Sequence, residues 1–202
     1  MQKEFNIKPA ILLILVFLIC VSFANAQDIP SQLTEFNQVR IDYNKSGMMI
    51  LGSWAVGNIV LGGVMAGRTS GETKAFQQMN MYWNTVNLAI AGFGYYSAMK
   101  ESPSSEFWET LQAQHGIEKI LLVNAALDVA YIAGGLYVLE RGRRLDKDQL
   151  KGFGKSIMLQ GAFLMSFDAI KYAFHNVHGK ELPTIVENLA FTGNGFGFVM
   201  NF

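Results

Sequence analysis

The segment MNMYWNTVNLAIAGFGYYSAM, from Met79 to Met99, is the part of the sequence that says most about the fold. It holds no charged residue, and as a helix it is long enough to cross the roughly 30 Å hydrocarbon core of a bilayer. Asn80, Asn84 and Asn87 stand at spacings of four and three, which place them on one side of a helix. The segment therefore predicts a membrane-spanning helix with one polar side.

Three other apolar segments rich in glycine and alanine lie near residues 47–67, 120–139 and 156–177. Together with residues 79–99 they predict an all-α, four-helix transmembrane bundle over residues 47–178. A soluble bundle with unusually apolar helices is the alternative. The composition favours the membrane, because only 16% of the 202 residues are charged, against about 25% in soluble proteins. The formal net charge of zero excludes a nucleic-acid binder that relies on positive charge.

The first 26 residues have the three-part layout of a cleavable secretory signal peptide. Lys3 and Lys8 precede an apolar run from Ala10 to Val21, and Ala24-Asn-Ala26 supplies a cleavage site. The apolar run is too short to span a bilayer comfortably, although an uncleaved anchor helix is the alternative. Cys20 is the only cysteine, so an intrachain disulfide and a cysteine metal cluster are excluded.

The distribution of basic residues predicts how the spans are oriented. The connection after the first span carries Arg68 and Lys74, and the one after the third carries six basic residues between Arg141 and Lys155. The connection between the second and third spans carries two lysines and four glutamates. Basic loops stay in the cytoplasm. We therefore expect a multi-pass protein of the inner (cytoplasmic) membrane with both mature termini outside.

Two external flanks complete the predicted layout. Residues 27–46 form an external amphipathic segment with Leu33, Phe36 and Tyr43 on one side of a short helix. Residues 179–202 form an external C-terminal tail.

The four spans are predicted to form a pair of helical hairpins. A motif near Asn58 in the first span resembles one near Asp128 in the third, and a basic residue ends each of these two spans. Small residues at four-residue spacing let helices approach closely. Such ridges are Gly63-x-x-x-Gly67 in the first span and Ala126-x-x-x-Ala130-x-x-x-Gly134 in the third. They predict helix contacts within the bundle or in a homo-oligomer.

Polar side chains inside the spans predict one shared polar seam, because buried polar groups in a membrane face the bundle interior or a watery cavity. The seam residues are Asn58, Asn84, Asn87, Asn124, Asp128, Asp168, Lys171 and His175. One interpretation is structural, with interhelical hydrogen bonds of about 0.6 kcal/mol each fixing the helix register. The other is a path for protons, ions or small solutes in which the two aspartates titrate.

Asp128 is the residue that separates these interpretations, because a charged carboxylate near mid-span costs at least about 2.5–3.5 kcal/mol. Protonation or a partner such as Lys171 would offset this cost. We expect Lys171 instead to pair with Asp168, three residues earlier, or to extend outward to the membrane surface. The excess of amides over ionisable groups favours the structural interpretation.

No catalytic motif accompanies the seam in the sequence. Gly152-Phe-Gly-Lys-Ser156 resembles the end of a phosphate-binding loop, but Gln149 occupies the position of the first glycine. His175 and His178 could share a metal ion or ligate a haem, yet no cluster of carboxylates or cysteines accompanies them. We therefore expect no enzyme activity, no cofactor and no metal, and a haem or metal site is the weakest alternative.

Five stretches of the sequence are similar to one known family. They are LGSWAVGN (51–58), SGETK (70–74), WNTVNLAIAGFGY (83–95), QHGIEK (114–119) and KGFGKSI (151–157). They resemble an uncharacterised family of small four-helix membrane proteins from Bacteroidota-type bacteria, a domain of unknown function. The resemblance covers roughly residues 38–178 and implies the four-helix fold and the membrane location. It implies no activity and no functional residues.

The sequence as a whole predicts a non-enzymatic structural or accessory membrane protein. Its expected partners are the lipid bilayer and either further copies of the chain or other membrane proteins. A small transporter or proton-coupled channel that uses Asp128 and Asp168 is the alternative function.

Overall fold

The structure, a computed structural model, describes residues 29–187, which form five α-helices. They are α1 (Ile29–Ala66), α2 (Gly71–Lys100), α3 (Phe107–Arg144), α4 (Asp148–Gly179) and the short α5 (Leu182–Glu187). This part of the chain contains no β-strand. The predicted all-α class with four long helices is therefore confirmed. The predicted signal peptide and residues 188–202 of the predicted tail lie outside the described residues.

The long helices extend beyond the predicted spans. α1 and α3 have 38 residues each, about 57 Å of helix. α1 passes through Gly47 without a break, so the predicted amphipathic segment and the first predicted span are parts of one helix. The reason is local, because no proline follows Pro30 in α1 and an isolated glycine weakens a helix without ending it.

Helices α1 and α2 form an antiparallel hairpin. Gly52 of α1 lies opposite Ala91 of α2, and Gly62, further along α1, lies opposite the earlier Gln77. A Cβ atom added to Gly62 would be 2.8 Å from the Gln77 carbonyl oxygen. Only glycine permits this approach, and the close contact fixes the register of the hairpin.

Helices α3 and α4 form a second antiparallel hairpin, packed through glycines on both sides. The successive contacts are Gly161 with Ile132, Gly135 with Gly154, and Gly142 with Leu150. On α3 the buried residues include Leu121, Asp128, Gly135 and Gly142, which recur every seven residues. A seven-residue repeat keeps one stripe of a helix against its neighbour.

The two hairpins join where α2 packs parallel to α4. Gly152 lies against the backbone of Phe76, and one turn later on both helices Ser156 bonds to Asn80. The turns at residues 67–70 and 145–147 share one end of the bundle, called the basic end here. The connection at residues 101–106 lies at the opposite end, called the loop end.

The α3–α4 turn at the basic end depends on a left-handed residue. Asp146 has φ of +47°, and the Lys147 N–H donates to the Gly142 carbonyl at 2.9 Å. Lys151 Nζ donates to Asp146 Oδ1 at 2.6 Å. This hydrogen bond and the positive charge of Lys151 lower the pKa of the Asp146 carboxyl.

The predicted small-residue ridges do not form the helix contacts of the bundle. Gly63 and Gly67 are exposed, and the buried glycine of that segment is Gly62. Ala126, Ala130 and Gly134 are exposed too, because the buried stripe of α3 passes through positions 128, 135 and 142 instead. A spacing of four matches any side of a helix, so the spacing alone did not identify the packed side.

Burial in the described residues is the reverse of that in a soluble protein. Fourteen polar or charged side chains are buried there against eleven hydrophobic ones, whereas large apolar side chains cover the outside. Phe93 is 78% exposed, Trp108 71% and Leu61 66%. A soluble bundle would place such residues in its core.

Two of the four long helices meet a length and hydropathy criterion for crossing a membrane. They are α1, over residues Pro30–Ala66, and α3, over Phe107–Arg144. Four spans were predicted. Helices α2 and α4 do not meet the criterion. The buried residues of α2 include three asparagines, and those of α4 include Gln160, Asp168 and Lys171.

Candidate functional site

The interior of the bundle holds a network of neutral side chains near its middle and toward the basic end. Asn80 Oδ1 accepts hydrogen bonds from Ser156 Oγ at 2.6 Å and from Gln160 Nε2 at 3.0 Å. Gln160 Oε1 in turn accepts from Trp54 Nε1 at 2.9 Å. The network therefore connects α1, α2 and α4 through groups that carry no charge.

The polar side of α2 continues this amide network. Asn84 Nδ2 donates to the Asn80 carbonyl at 2.8 Å, and Asn87 Nδ2 donates to Asn84 Oδ1 at 3.3 Å. All three asparagines are buried. The polar side of α2 that the asparagine spacing predicted is the side that is buried in the structure.

Two predicted seam residues lie away from the network. Asn58 is half-buried and donates to the Trp54 carbonyl of its own helix at 2.9 Å. Asn124 is half-buried on α3, off the stripe that carries Asp128. The sequence placed both residues within helices, but it did not determine which side of each helix faces the neighbouring helices.

Asp128 and Asp168 form a buried pair across the α3–α4 contact. Their carboxyl groups interact with each other, and the residues are 3% and 6% exposed. Asp128 Oδ2 is buried without a hydrogen-bond partner. Gly161 lies against the backbone at Asp128, so the two helices are close at this level. The Asp128 carboxyl therefore interacts with a second carboxyl and not with Lys171.

Lys171 points into the bundle. It is 7% exposed, and its side chain fills the space beside Gly47 of α1, where an added Cβ would be 2.7 Å from Lys171 Nζ. The ammonium group interacts electrostatically with Asp168 and lies 5.8 Å from the centre of the Phe167 ring. The interaction with Asp168 agrees with the first expectation for Lys171, whereas the alternative that it extends to the membrane surface is wrong, because Gly47 leaves room for it inside.

His175 is fully buried one turn beyond Lys171, toward the loop end. Neither ring nitrogen has a hydrogen-bond partner. The ring packs edge-on against Tyr43 of α1, with ring centres 5.8 Å apart. Gln114 Nε2 of α3 donates to the His175 carbonyl at 2.6 Å, whereas Gln114 Oε1 has no partner. An imidazole in this position has both nitrogens available.

A second polar network lies at the loop end of the interior. Arg40 Nη2 donates to Glu101 Oε1 at 2.5 Å and to Asn37 Oδ1 at 3.0 Å. Asn37 Nδ2 donates to Thr110 Oγ1 at 2.7 Å. His178 stacks on the Phe36 ring with centres 3.9 Å apart. These contacts attach the first part of α1 to α3 and α4.

Sequence reasoning missed several buried polar residues, namely Asn37, Arg40, Thr110, Gln114, Ser156 and His178 as members of the interior. Gln114 was detectable, because it lies 14 residues, two repeats of seven, before Asp128. Ser156 is the first residue of the fourth predicted span, whereas Asn37, Arg40, Thr110 and His178 lie outside the predicted spans on the side predicted to be external.

A metal or haem site was the weakest alternative from the sequence. Among the described residues, no three His, Cys, Asp or Glu side chains come together in a way that would hold a metal ion. His175 and His178 both pack edge-on against Tyr43, with ring centres 5.8 and 5.7 Å away, and His178 also stacks on Phe36.

The fold and the interior together define a class: an all-α protein of four long helices with a polar core and an apolar surface. Residues 50–169, more than half of the chain, match the model of DUF6992, a family of unknown function. The chain belongs to this family, and the predicted membership of an uncharacterised domain family is confirmed. No curated protein and no solved structure matches the chain. Asp128 and Asp168 lie inside the matched range, and Lys171 and His175 follow it.

Proposed function

We propose that the protein is a four-span integral membrane protein without enzymatic activity, serving a structural or accessory role. The observation that carries this proposal is the reversed burial, because a bilayer is the solvent in which apolar surfaces are exposed and polar groups turn inward.

The same observation argues that α2 and α4 also span the bilayer. They pack alongside α1 and α3 over most of their length, and their 30 and 32 residues exceed the roughly 20 that a span requires. Their polar residues face the interior, whereas Phe93, Ile170 and Phe174 face outward. A lipid-facing surface of this kind is apolar even where the mean hydropathy of the helix is low.

The orientation proposed for the bundle follows from the charges at its two ends. Exposed basic residues gather at the basic end: Arg68, Lys74, Arg141, Arg144 and Lys147. The positive-inside rule places that end in the cytoplasm. The loop end and both mature termini then lie outside.

A structural role suits the amide network. Neutral amides that bond to one another join three helices at a cost much lower than that of buried charges, and each such bond contributes about 0.6 kcal/mol in a membrane. An accessory role needs an outer contact surface as well. The exposed ridge of Ala126, Ala130 and Gly134 allows close approach by another copy or by another membrane protein.

Fractionation and reporter fusions test the membrane proposal. The full chain should remain in the membrane pellet after alkaline carbonate washing. Reporters that are active only outside the cytoplasm should work after Lys180 or near Ser104 and should fail near Lys147. An active fusion at Lys147, or a chain released by carbonate, would overturn the proposal.

A small transporter or proton-coupled channel is the second candidate function. The observation that favours it is the buried pairing of Asp128 with Asp168, which a purely structural interior does not require.

A further inference from the structure

Buried polar atoms without a partner are concentrated in one half of the interior. Toward the basic end, the amides are bonded to one another. Among the described residues, the buried side-chain atoms without a partner are Asn44 Oδ1, Gln114 Oε1, Asp128 Oδ2 and both ring nitrogens of His175. They lie from the carboxyl pair toward the loop end. Native proteins rarely leave such atoms unsatisfied without a bound water or ion or a functional reason.

These groups face one another from three helices. On α4, Asp168, Lys171 and His175 follow one side at spacings of three and four. On α1, Asn44 lies one turn before Gly47, which contacts Lys171. On α3, Gln114 contacts α4 at His175, and Asp128 contacts it at Asp168. Seven residues separate His175 from Asp168, about 10 Å along the helix.

We propose that this half of the interior is a hydrated proton-binding site, a half-channel that runs from the loop end past His175 to the Asp128–Asp168 pair. The proposal rests on the proposed membrane location for its orientation, which makes the loop end the external side. The ligand of the site is a proton delivered by water, and the proton binds at the Asp128–Asp168 pair.

The carboxyl pair is the part that holds the proton. A carboxylate only accepts hydrogen bonds, so two carboxyls in contact bond to each other only when one of them is protonated. On binding, the pair changes from two carboxylates to one carboxylate and one carboxylic acid. The remaining negative charge lies next to the ammonium group of Lys171, so the occupied site is neutral overall, which suits a buried location.

His175 relays the proton. One ring nitrogen takes up a proton from water on the loop-end side, and the other releases its own proton to water beside the pair. The ring is left neutral in its other tautomer. This exchange requires both nitrogens to be available, and the structure leaves both without a protein partner.

Three helices and one loop place charged and titratable groups around the site. α1 contributes Arg40, which interacts electrostatically with His175. α3 contributes Glu118, which accepts a hydrogen bond from Gln114. α4 contributes Lys171 and His178. The loop between α2 and α3 contributes Glu101, the partner of Arg40. α2 presents asparagines and alanines on its buried side, so no charge enters from that helix.

The half-channel ends at the carboxyl pair. Between Asp168 and the basic end, the buried side of α4 consists of Gly152, Gly154, Ser156, Gln160 and Gly161. None of these is ionisable, and Ser156 and Gln160 are already bonded to Asn80. A proton entering from the loop end therefore binds at the pair and leaves by the same route.

Infrared spectroscopy of the full-length protein in lipid vesicles tests the binding site. The wild type should show the C=O stretch of a protonated carboxyl at neutral pH. Asp128→Asn and Asp168→Asn should each abolish it, whereas Asp146→Asn, which alters an exposed carboxyl, should keep it. A wild type without the band, or a band that survives both interior substitutions, would overturn the proposal. Size-exclusion profiles show whether each variant is folded. If an asparagine variant does not fold, Asp128→Ser or Asp168→Ser takes its place in the same measurement.

Hydrogen–deuterium exchange of the same band tests the route. After deuterated buffer is added outside right-side-out vesicles, the wild-type band should shift quickly. His175→Phe should slow the shift at least about tenfold, and His115→Phe, at an exposed histidine, should not. An unchanged rate in His175→Phe would contradict the relay. Fast exchange from the inner side alone would contradict the half-channel even when carbonate washing and the reporter fusions support the membrane location.

Discussion

Gly135 of α3 and Gly154 of α4 face each other so closely that a Cβ on either would enter the backbone of the other. A Cβ on Gly135 would be 2.9 Å from the Gly154 carbonyl oxygen, and one on Gly154 would be 2.6 Å from that of Gly135. This contact lies between the carboxyl pair and the basic end. It fixes the register of α3 against α4, and with it the meeting of Asp128 and Asp168.

Gly135→Ala should lower the free energy of unfolding by about 1–3 kcal/mol, because the added methyl group overpacks a helix contact made by backbone. Gly134→Ala is the matched control. Nothing lies within 4 Å of its Cβ position, so the higher helix propensity of alanine should leave stability unchanged or raise it by up to about 1 kcal/mol. Thermal unfolding in detergent measures both. Equal effects at the two positions would mean that the α3–α4 contact is not formed as described.

Asn80→Ala should destabilise the bundle, because Ser156 and Gln160 lose the oxygen to which both donate. The expected loss is about 1–3 kcal/mol for the groups left unsatisfied. Asn58→Ala should cost less, since Asn58 bonds only to its own helix. The melting temperatures of the two variants, measured in the same detergent, give the comparison. A larger loss of stability for Asn58→Ala than for Asn80→Ala would refute the role assigned to the network.

Asp128→Asn should be as stable as the parent or slightly more so, because an amide keeps the shape of the carboxyl and removes the cost of a buried charge. Asp128→Leu should be less stable by about 1–3 kcal/mol, because Asp168 then faces an apolar side chain. Urea or thermal unfolding of the two variants measures the difference. A marked loss for Asp128→Asn would contradict this expectation and show that the negative charge itself stabilises the fold.

Asp146→Asn should be less stable than the parent at neutral pH and equal to it in acid. Lys151 lowers the pKa of the Asp146 carboxyl in the folded state, so the stabilisation is present above the ordinary aspartate pKa of about 3.9 and is lost as the pH falls through the lower, folded value. Asparagine tolerates the left-handed backbone at this position, so strain does not enter the comparison. Melting temperatures across this pH range provide the measurement. A deficit that persists in acid would assign the effect to the turn and not to the ion pair.

The number of long helices and the all-α class were predictable, because long uncharged segments separated by polar connections leave few alternatives. The lengths were not, because hydropathy marks the part of a helix suited to lipid and does not mark where the helix ends. α1 continues through Gly47 because nothing in the neighbouring residues stops it.

Within single helices the polar sides were predictable from periodicity. Asn84 and Asn87 share a side of α2, and Asp168, Lys171 and His175 share a side of α4, as expected. Pairing between helices was not predictable. Asp128 meets Asp168 and not Lys171, because glycine contacts such as Gly135 with Gly154 set the register, and one sequence does not reveal which glycines meet.

The parallel packing of α2 on α4 has a consequence for biogenesis. During synthesis the first hairpin is complete before Ser156 and Gln160 exist, so Asn80 Oδ1 has neither donor until α4 has been made. The hydrogen bonds of Asn80 Oδ1 therefore form only when the second hairpin docks against the first.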